Sequence, residues 1–117
     1  MRMNVALQGL SALAHEGRLS LFRTLVKAGH PGLSVSVLAE EVGVNVTTAS
    51  AQLSILAQAG LVEGTREGRR IVYRADYETV RALLAFLMKD CCQARAEIVA
   101  PLAALTDCHR EPKGMKP

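Results

Sequence analysis

Between Ser34 and Arg74 the chain is punctuated in a way that leaves few ways to fold it. Apolar residues recur at helical spacing at Leu38, Ala39 and Val42, stop at Gly43, and resume at Val46, Ala49, Leu53, Leu56 and Ala57. This pattern predicts two helices with buried stripes, joined by the turn Gly43-Val44-Asn45. Ser34 is suited to cap the first, because its hydroxyl accepts from a main-chain N–H at the helix start. Gly43 ends that helix where a left-handed backbone is needed, a conformation glycine adopts without a Cβ clash. The second helix runs to about Ala59 and stops at Gly60. The segment LVEGTREGRRIVYRA then offers two β-prone stretches around the turn pair Glu67-Gly68. Helix, glycine-bearing turn, helix and hairpin, in that order, form a winged helix-turn-helix.

Further helices flank this unit. Residues 4–14 carry Val5, Leu7, Leu10, Leu13 and Ala14 on a broad apolar face. A second helix is expected from Glu16 to Lys27, with Leu19, Leu21, Phe22, Leu25 and Val26 inward, stopped by His30-Pro31-Gly32. Asp76 caps a long helix bearing Val80, Leu83, Leu84, Leu87 and Met88, and a shorter one is expected from about Glu97 to Leu105. The expected fold is mainly α with a small β-hairpin, ordered α-α-α-α-β-β-α. Residues 1–109 form a single domain and residues 110–117 a polar, flexible tail. Half of the 117 residues are apolar but only 3% are aromatic. The core must therefore be built from Leu, Val and Ala, which suits packed helices and a dimer whose apolar surface a partner completes.

The N-terminal stretch is interrupted by Asn4, Gln8 and His15, unlike a secretory signal, and no apolar run is long enough to span a bilayer. A cytoplasmic protein with reduced thiols and no membrane partner is expected. No glycine-rich phosphate loop, HExxH, CxxC or Ser/His/acid set is present, so no enzymatic activity is expected.

The outward face of the second helix in the pair carries Thr47, Thr48, Ser50, Gln52 and Gln58, with no Asp or Glu between Asn45 and Ala59. A carboxylate there would repel phosphate. Gln52 can pair with adenine, and Thr can touch base, sugar or phosphate. Arg66, Arg69 and Arg70 crowd the hairpin, where they suit phosphate or minor-groove contact. Operator double-stranded DNA is the expected partner, with Asn45, Thr47, Thr48, Ser50, Gln52, Arg66, Arg69 and Arg70 as candidate contacts.

Three stretches, SALAHEGRLSLFRTLVKAG, LAEEVGVNVTTASAQLSILAQAGLV and REGRRIVYRAD, give residues 8–92 a resemblance to the ArsR/SmtB family of bacterial metal- and metalloid-responsive repressors. The resemblance implies a homodimer with its first and last helices at the interface and two recognition helices on a palindromic operator. Leu7, Leu10, Leu83, Leu84 and Leu87 become candidates for that interface or the adjoining core. Where the family often places Ser-Arg-His, this chain has Ser50-Ala51-Gln52.

The Cys-x-Cys-type site of some family members has Ser34 and Ser36 in place of thiols, and the paired Asp, His and Glu zinc ligands of others are not matched. Cys91, Cys92 and Cys108 instead resemble the adjacent Cys pair and downstream Cys of arsenic-responsive members. Trivalent arsenic and antimony are thiophilic and take three sulfurs in a pyramid, whereas structural zinc usually takes four ligands. The expected inducer is arsenite or antimonite bound by Cys91, Cys92 and Cys108, within one chain or across the dimer. A disulfide from Cys108 to either neighbour would make a redox or sulfide sensor, and a fourth ligand such as His109 would favour zinc or cadmium.

Overall fold

The computed structural model describes residues 1–89, so Cys91, Cys92, Cys108, the expected Glu97–Leu105 helix and the 110–117 tail lie outside the described residues. Helices α1 (Met3–Leu13) and α2 (Glu16–Ala28) lead to a two-residue strand β1 (Leu33–Ser34). Helices α3 (Val35–Val42) and α4 (Val46–Gln58), strands β2 (Val62–Glu67) and β3 (Arg70–Ala75), and helix α5 (Tyr77–Met88) follow. The expected element order is thus present, with β1 added between α2 and α3. Two residues carry no legible periodicity, so β1 becomes visible only when Leu33 pairs with Tyr73 and Ser34 with Val72. The antiparallel sheet has the order β1-β3-β2.

The helix boundaries follow local chemistry. Ser34 Oγ accepts from the Val37 N–H, Asn45 from Thr48 and Asp76 from Thr79, each capping the helix that follows. Gly43 ends α3 with φ 84°, and its N–H returns to the Ala39 carbonyl. His15 caps α2 through Nδ1, which accepts from the main-chain N–H groups of Gly17 and Arg18. This role is hidden in the sequence, since histidine is not among the usual caps.

Leu21, Leu25, Leu38, Leu53, Leu56 and Leu61 are fully buried and bring α2, α3, α4 and the root of β2 into one core. Here the burial corrects three expectations. Leu19 and Val26, expected inward, are exposed, because they lie on the outer edge of the apolar face of α2 beside Phe22, while Leu21 and Leu25 point further round into the core. Val46 is exposed because it begins α4 beside the turn, before the helix reaches the core. On α1 the buried side consists of Ala6, Gly9 and Ala12, while Met3, Val5, Leu7 and Leu10 face outward. Small residues allow close approach: a Cβ at Gly9 would stand 3.8 Å from the Leu83 side chain.

The hairpin also departs by one residue from the expected turn. Glu67 pairs with Arg70, so the two-residue turn is Gly68-Arg69 rather than Glu67-Gly68. Gly68, at φ 70°, takes the first turn position, where both favoured hairpin turns require a positive φ.

Candidate nucleic-acid interface

Ala49, Leu53 and Leu56 anchor α4 in the core, which turns the remaining face of the helix to solvent. Thr47, Thr48, Ser50, Ala51, Ser54 and Gln58 are all exposed there. By helical spacing, Thr47, Ala51, Ser54 and Gln58 run along the crest opposite the buried stripe. Ser54 is absent from the candidate contacts, although its position seven residues after Thr47 marks it. The crest carries hydroxyls, an amide and a methyl group but no formal charge.

Two of the candidate contacts have structural duties as well. Asn45 lies at the amino end of α4 with its side-chain oxygen 2.8 Å from the Thr48 nitrogen. Its amide NH2 is the group left for a ligand, beside a helix N-terminus that attracts anions. Gln52 is half-buried on the flank of the helix rather than on its crest, and its Oε1 accepts from Arg18 Nη1 at 2.9 Å. The fixed orientation of this amide is a tertiary feature, because Arg18 belongs to α2.

The three wing arginines are exposed, yet they do not share a face. Arg66 pairs with Ile71, whereas Arg70 pairs with Glu67 one step further along. Alternation across the ribbon therefore sends Arg66 and Arg70 to opposite sides, with Arg69 in the turn. Positive charge therefore lies on either face of the ribbon and at its tip.

Arg74, a residue not marked by the sequence pattern, sets the angle of the wing. Its Nε donates to the His30 carbonyl at 3.1 Å and its Nη1 to Thr65 Oγ1 at 3.0 Å. Its Nη2 lies 3.4 Å from a Glu67 carboxylate oxygen. These bonds join β3, β2 and the loop after α2, and they hold the Glu67 carboxylate on the Arg70 side of the ribbon. At its amino end, α5 is fixed by the Tyr77 hydroxyl, which donates to the Val26 carbonyl at 3.2 Å.

On α1 and α5, Leu7, Leu10 and Leu87 are exposed, Leu84 is partly covered and Leu83 is buried. The five candidate leucines thus divide between an outward apolar surface and the core beneath it. Among the described residues, no group of three His, Cys, Asp or Glu side chains could hold a metal ion, and no helix is long and apolar enough to cross a membrane.

A recognition helix presented between a tight turn and a basic ribbon defines a winged helix-turn-helix DNA-binding protein. A helix-turn-helix domain family matches residues 13–65. The HTH-type transcriptional regulator Rv0324 of Mycobacterium tuberculosis is 41% identical over 76 residues, covering 65% of this chain but 32% of that longer protein. The transcriptional repressor BigR of Xylella fastidiosa is 33% identical, with 79% of this chain and 92% of that chain covered and a TM-score of 0.58. The homodimeric winged helix-turn-helix DNA-binding domain Mb0332 of Mycobacterium bovis, described as "a possible ArsR-family transcriptional regulator", is 31% identical. It covers 80% of this chain and 86% of its own, with a TM-score of 0.60. The chain belongs to the ArsR-like helix-turn-helix transcriptional regulators, a family of DNA-binding proteins rather than enzymes.

Proposed function

We propose that this protein is a dimeric repressor that binds operator DNA through α4 and the wing and is released when a thiophilic ligand engages Cys91, Cys92 and Cys108. The observation carrying the DNA half is the exposed face of α4: it bears no carboxylate and stands beside a wing with three exposed arginines. The dimer half is supported by the outward Leu7, Leu10 and Leu87 and by the homodimeric relative. Two recognition helices related by a two-fold axis would meet half-sites one helical turn apart. A cytoplasmic location belongs to the same proposal, because that is where a bacterial operator is reached.

Trivalent arsenic or antimony is the first ligand of this proposal, because three thiolates complete its pyramidal coordination. In the chain, adjacent Cys91 and Cys92 come shortly after Met88, the last residue of α5, so gathering three sulfurs there would act near the end of a helix bearing the apolar surface. Release requires the ligand to favour a dimer whose recognition helices are wrongly spaced. A coupling of about 3 kcal/mol would lower operator affinity on the order of 150-fold.

The test begins with a duplex selected by the protein from a randomised pool. Specific, salt-dependent binding is expected, and failure to select any sequence overturns the DNA reading. Arsenite titrated into the complex should release the DNA, while Cys91→Ser or Cys92→Ser should bind but not respond. Unchanged affinity at saturating arsenite overturns the metalloid reading. Release by an oxidant or persulfide, or by zinc or cadmium, would assign the same thiols to those ligands instead.

A further inference from the structure

We infer that Arg18 is a positioning residue for operator recognition, tying the carboxyl end of α1 to Gln52 of the recognition helix. The inference rests on the operator-binding reading and deepens it.

The end of α1 leaves main-chain carbonyls that the helix itself cannot satisfy. Ala14 N–H takes the Ser11 oxygen and His15 N–H takes the Leu13 oxygen. The Ala12 oxygen between them accepts from Arg18 Nε at 2.6 Å. This bond is charge-assisted and lies at the negative end of the helix dipole, so it favours a guanidinium. The same guanidinium reaches across to Gln52 Oε1 at 2.9 Å.

The fork geometry of arginine permits this double role. Nε and Nη1 are separate donors held in one plane, whereas a lysine ammonium offers all its donors from a single atom. The backbone of Arg18 is fixed in turn, since its N–H donates to the His15 side chain that caps α2. The residue is half-buried at a small cleft of about 170 Å³ between α1, α2 and α4, lined also by Gln8 and Gln58. Gln8 Nε2 meets the Gln58 carbonyl there at 3.5 Å, a second and longer link between α1 and α4.

Two consequences follow. A guanidinium has no acceptor, so the Gln52 amide must turn its oxygen inward and its NH2 away from Arg18. The amide is thereby oriented before DNA arrives, which removes part of the ordering entropy of binding. In addition, α1 carries the outward Leu7 and Leu10, so a movement of that surface reaches α4 through Ala12, Arg18 and Gln52. Arg18 serves this role through Gln52 and not through a phosphate.

The test uses Arg18→Met and Gln52→Met, alone and together, in the full chain against the duplex selected by the wild-type protein. Each single variant should weaken binding about tenfold, and the double variant should be no weaker than the weaker single. The dependence of affinity on salt should keep its wild-type slope. Arg18→Lys, which keeps the charge and the Ala12 contact, provides the same test if Arg18→Met does not fold. It should lose several-fold in affinity alone and nothing further in the Gln52→Met background. Wild-type affinity in either Arg18 variant overturns the inference. So do independent losses that multiply to about 100-fold, or a salt slope reduced by about one, which would mark Arg18 as a direct phosphate contact. A wild-type protein that selects no duplex overturns the operator-binding reading, and this inference with it.

Discussion

Arg74 donates from Nε to the main-chain oxygen of His30 at 3.1 Å, and this bond fastens the base of the wing to the loop that leaves α2. The other side of the guanidinium holds Thr65 and Glu67 on the neighbouring strand. The basic ribbon therefore leaves the body of the protein at an angle set by a residue that itself stays partly covered. Replacing Arg74 by Ala should lower thermal stability by about 1–2 kcal/mol, the scale of hydrogen bonds to a charged group discounted for partial exposure. Operator affinity should fall further than that loss accounts for, because the Arg66, Arg69 and Arg70 side chains would be less well aimed. Thermal unfolding and DNA titration on the same protein separate the two effects. An affinity equal to wild type would mean that the wing does not need this fastening.

The wing arginines divide between the faces of the ribbon, so they should act as separate phosphate contacts. Single Arg66→Ala, Arg69→Ala and Arg70→Ala variants should each reduce the slope of log affinity against log salt by up to about 0.9. Their melting temperatures should stay near wild type, because all three side chains are exposed. Fluorescence anisotropy across a salt series is the measurement. A variant whose slope is unchanged has lost no phosphate contact.

Asn45 permits helix capping to be separated from DNA contact. Asn45→Ala removes the acceptor for the Thr48 N–H and should destabilise the fold by about 1 kcal/mol. Asn45→Asp keeps the cap and places a negative charge at a helix amino end, so stability should be unchanged or raised. That same charge should weaken DNA binding by repulsion from phosphate. A carboxylate that leaves operator affinity intact would place the amino end of α4 away from the DNA backbone.

Leu7 is 57% exposed on the outer face of α1. Leu7→Glu removes apolar surface and sets a charge where the proposed dimer would be desolvated. The protein should shift toward monomer in sedimentation velocity while keeping its helical circular dichroism, and operator affinity should fall with dimer content. A stable dimer in this variant would place the interface elsewhere.

Much of the fold is legible in the residues because helix ends and hairpins are local events. Ser34, Gly43, Gly60 and Asp76 mark boundaries by caps and backbone freedom that need no distant partner. Apolar spacing likewise identifies Leu38, Leu53 and Leu56 as core residues without reference to the rest of the chain. It could not distinguish which face of α1 or α2 is buried when both carry apolar residues. Leu19 and Val26 read as inward on spacing alone, yet they are exposed. Similarly, β1 exists only through its pairing with β3.

The amino-acid sequence alone determines the winged helix-turn-helix order, the uncharged recognition face and the cluster of wing arginines. Each follows from spacing, capping or residue chemistry within a few positions along the chain. Tertiary structure decides how those parts are aimed. Gln52 meets an arginine 34 positions away, and Arg74 reaches the His30 carbonyl 44 positions away. No local propensity encodes such pairs, because their geometry exists only after α1, α2, α4 and the sheet have packed against one core.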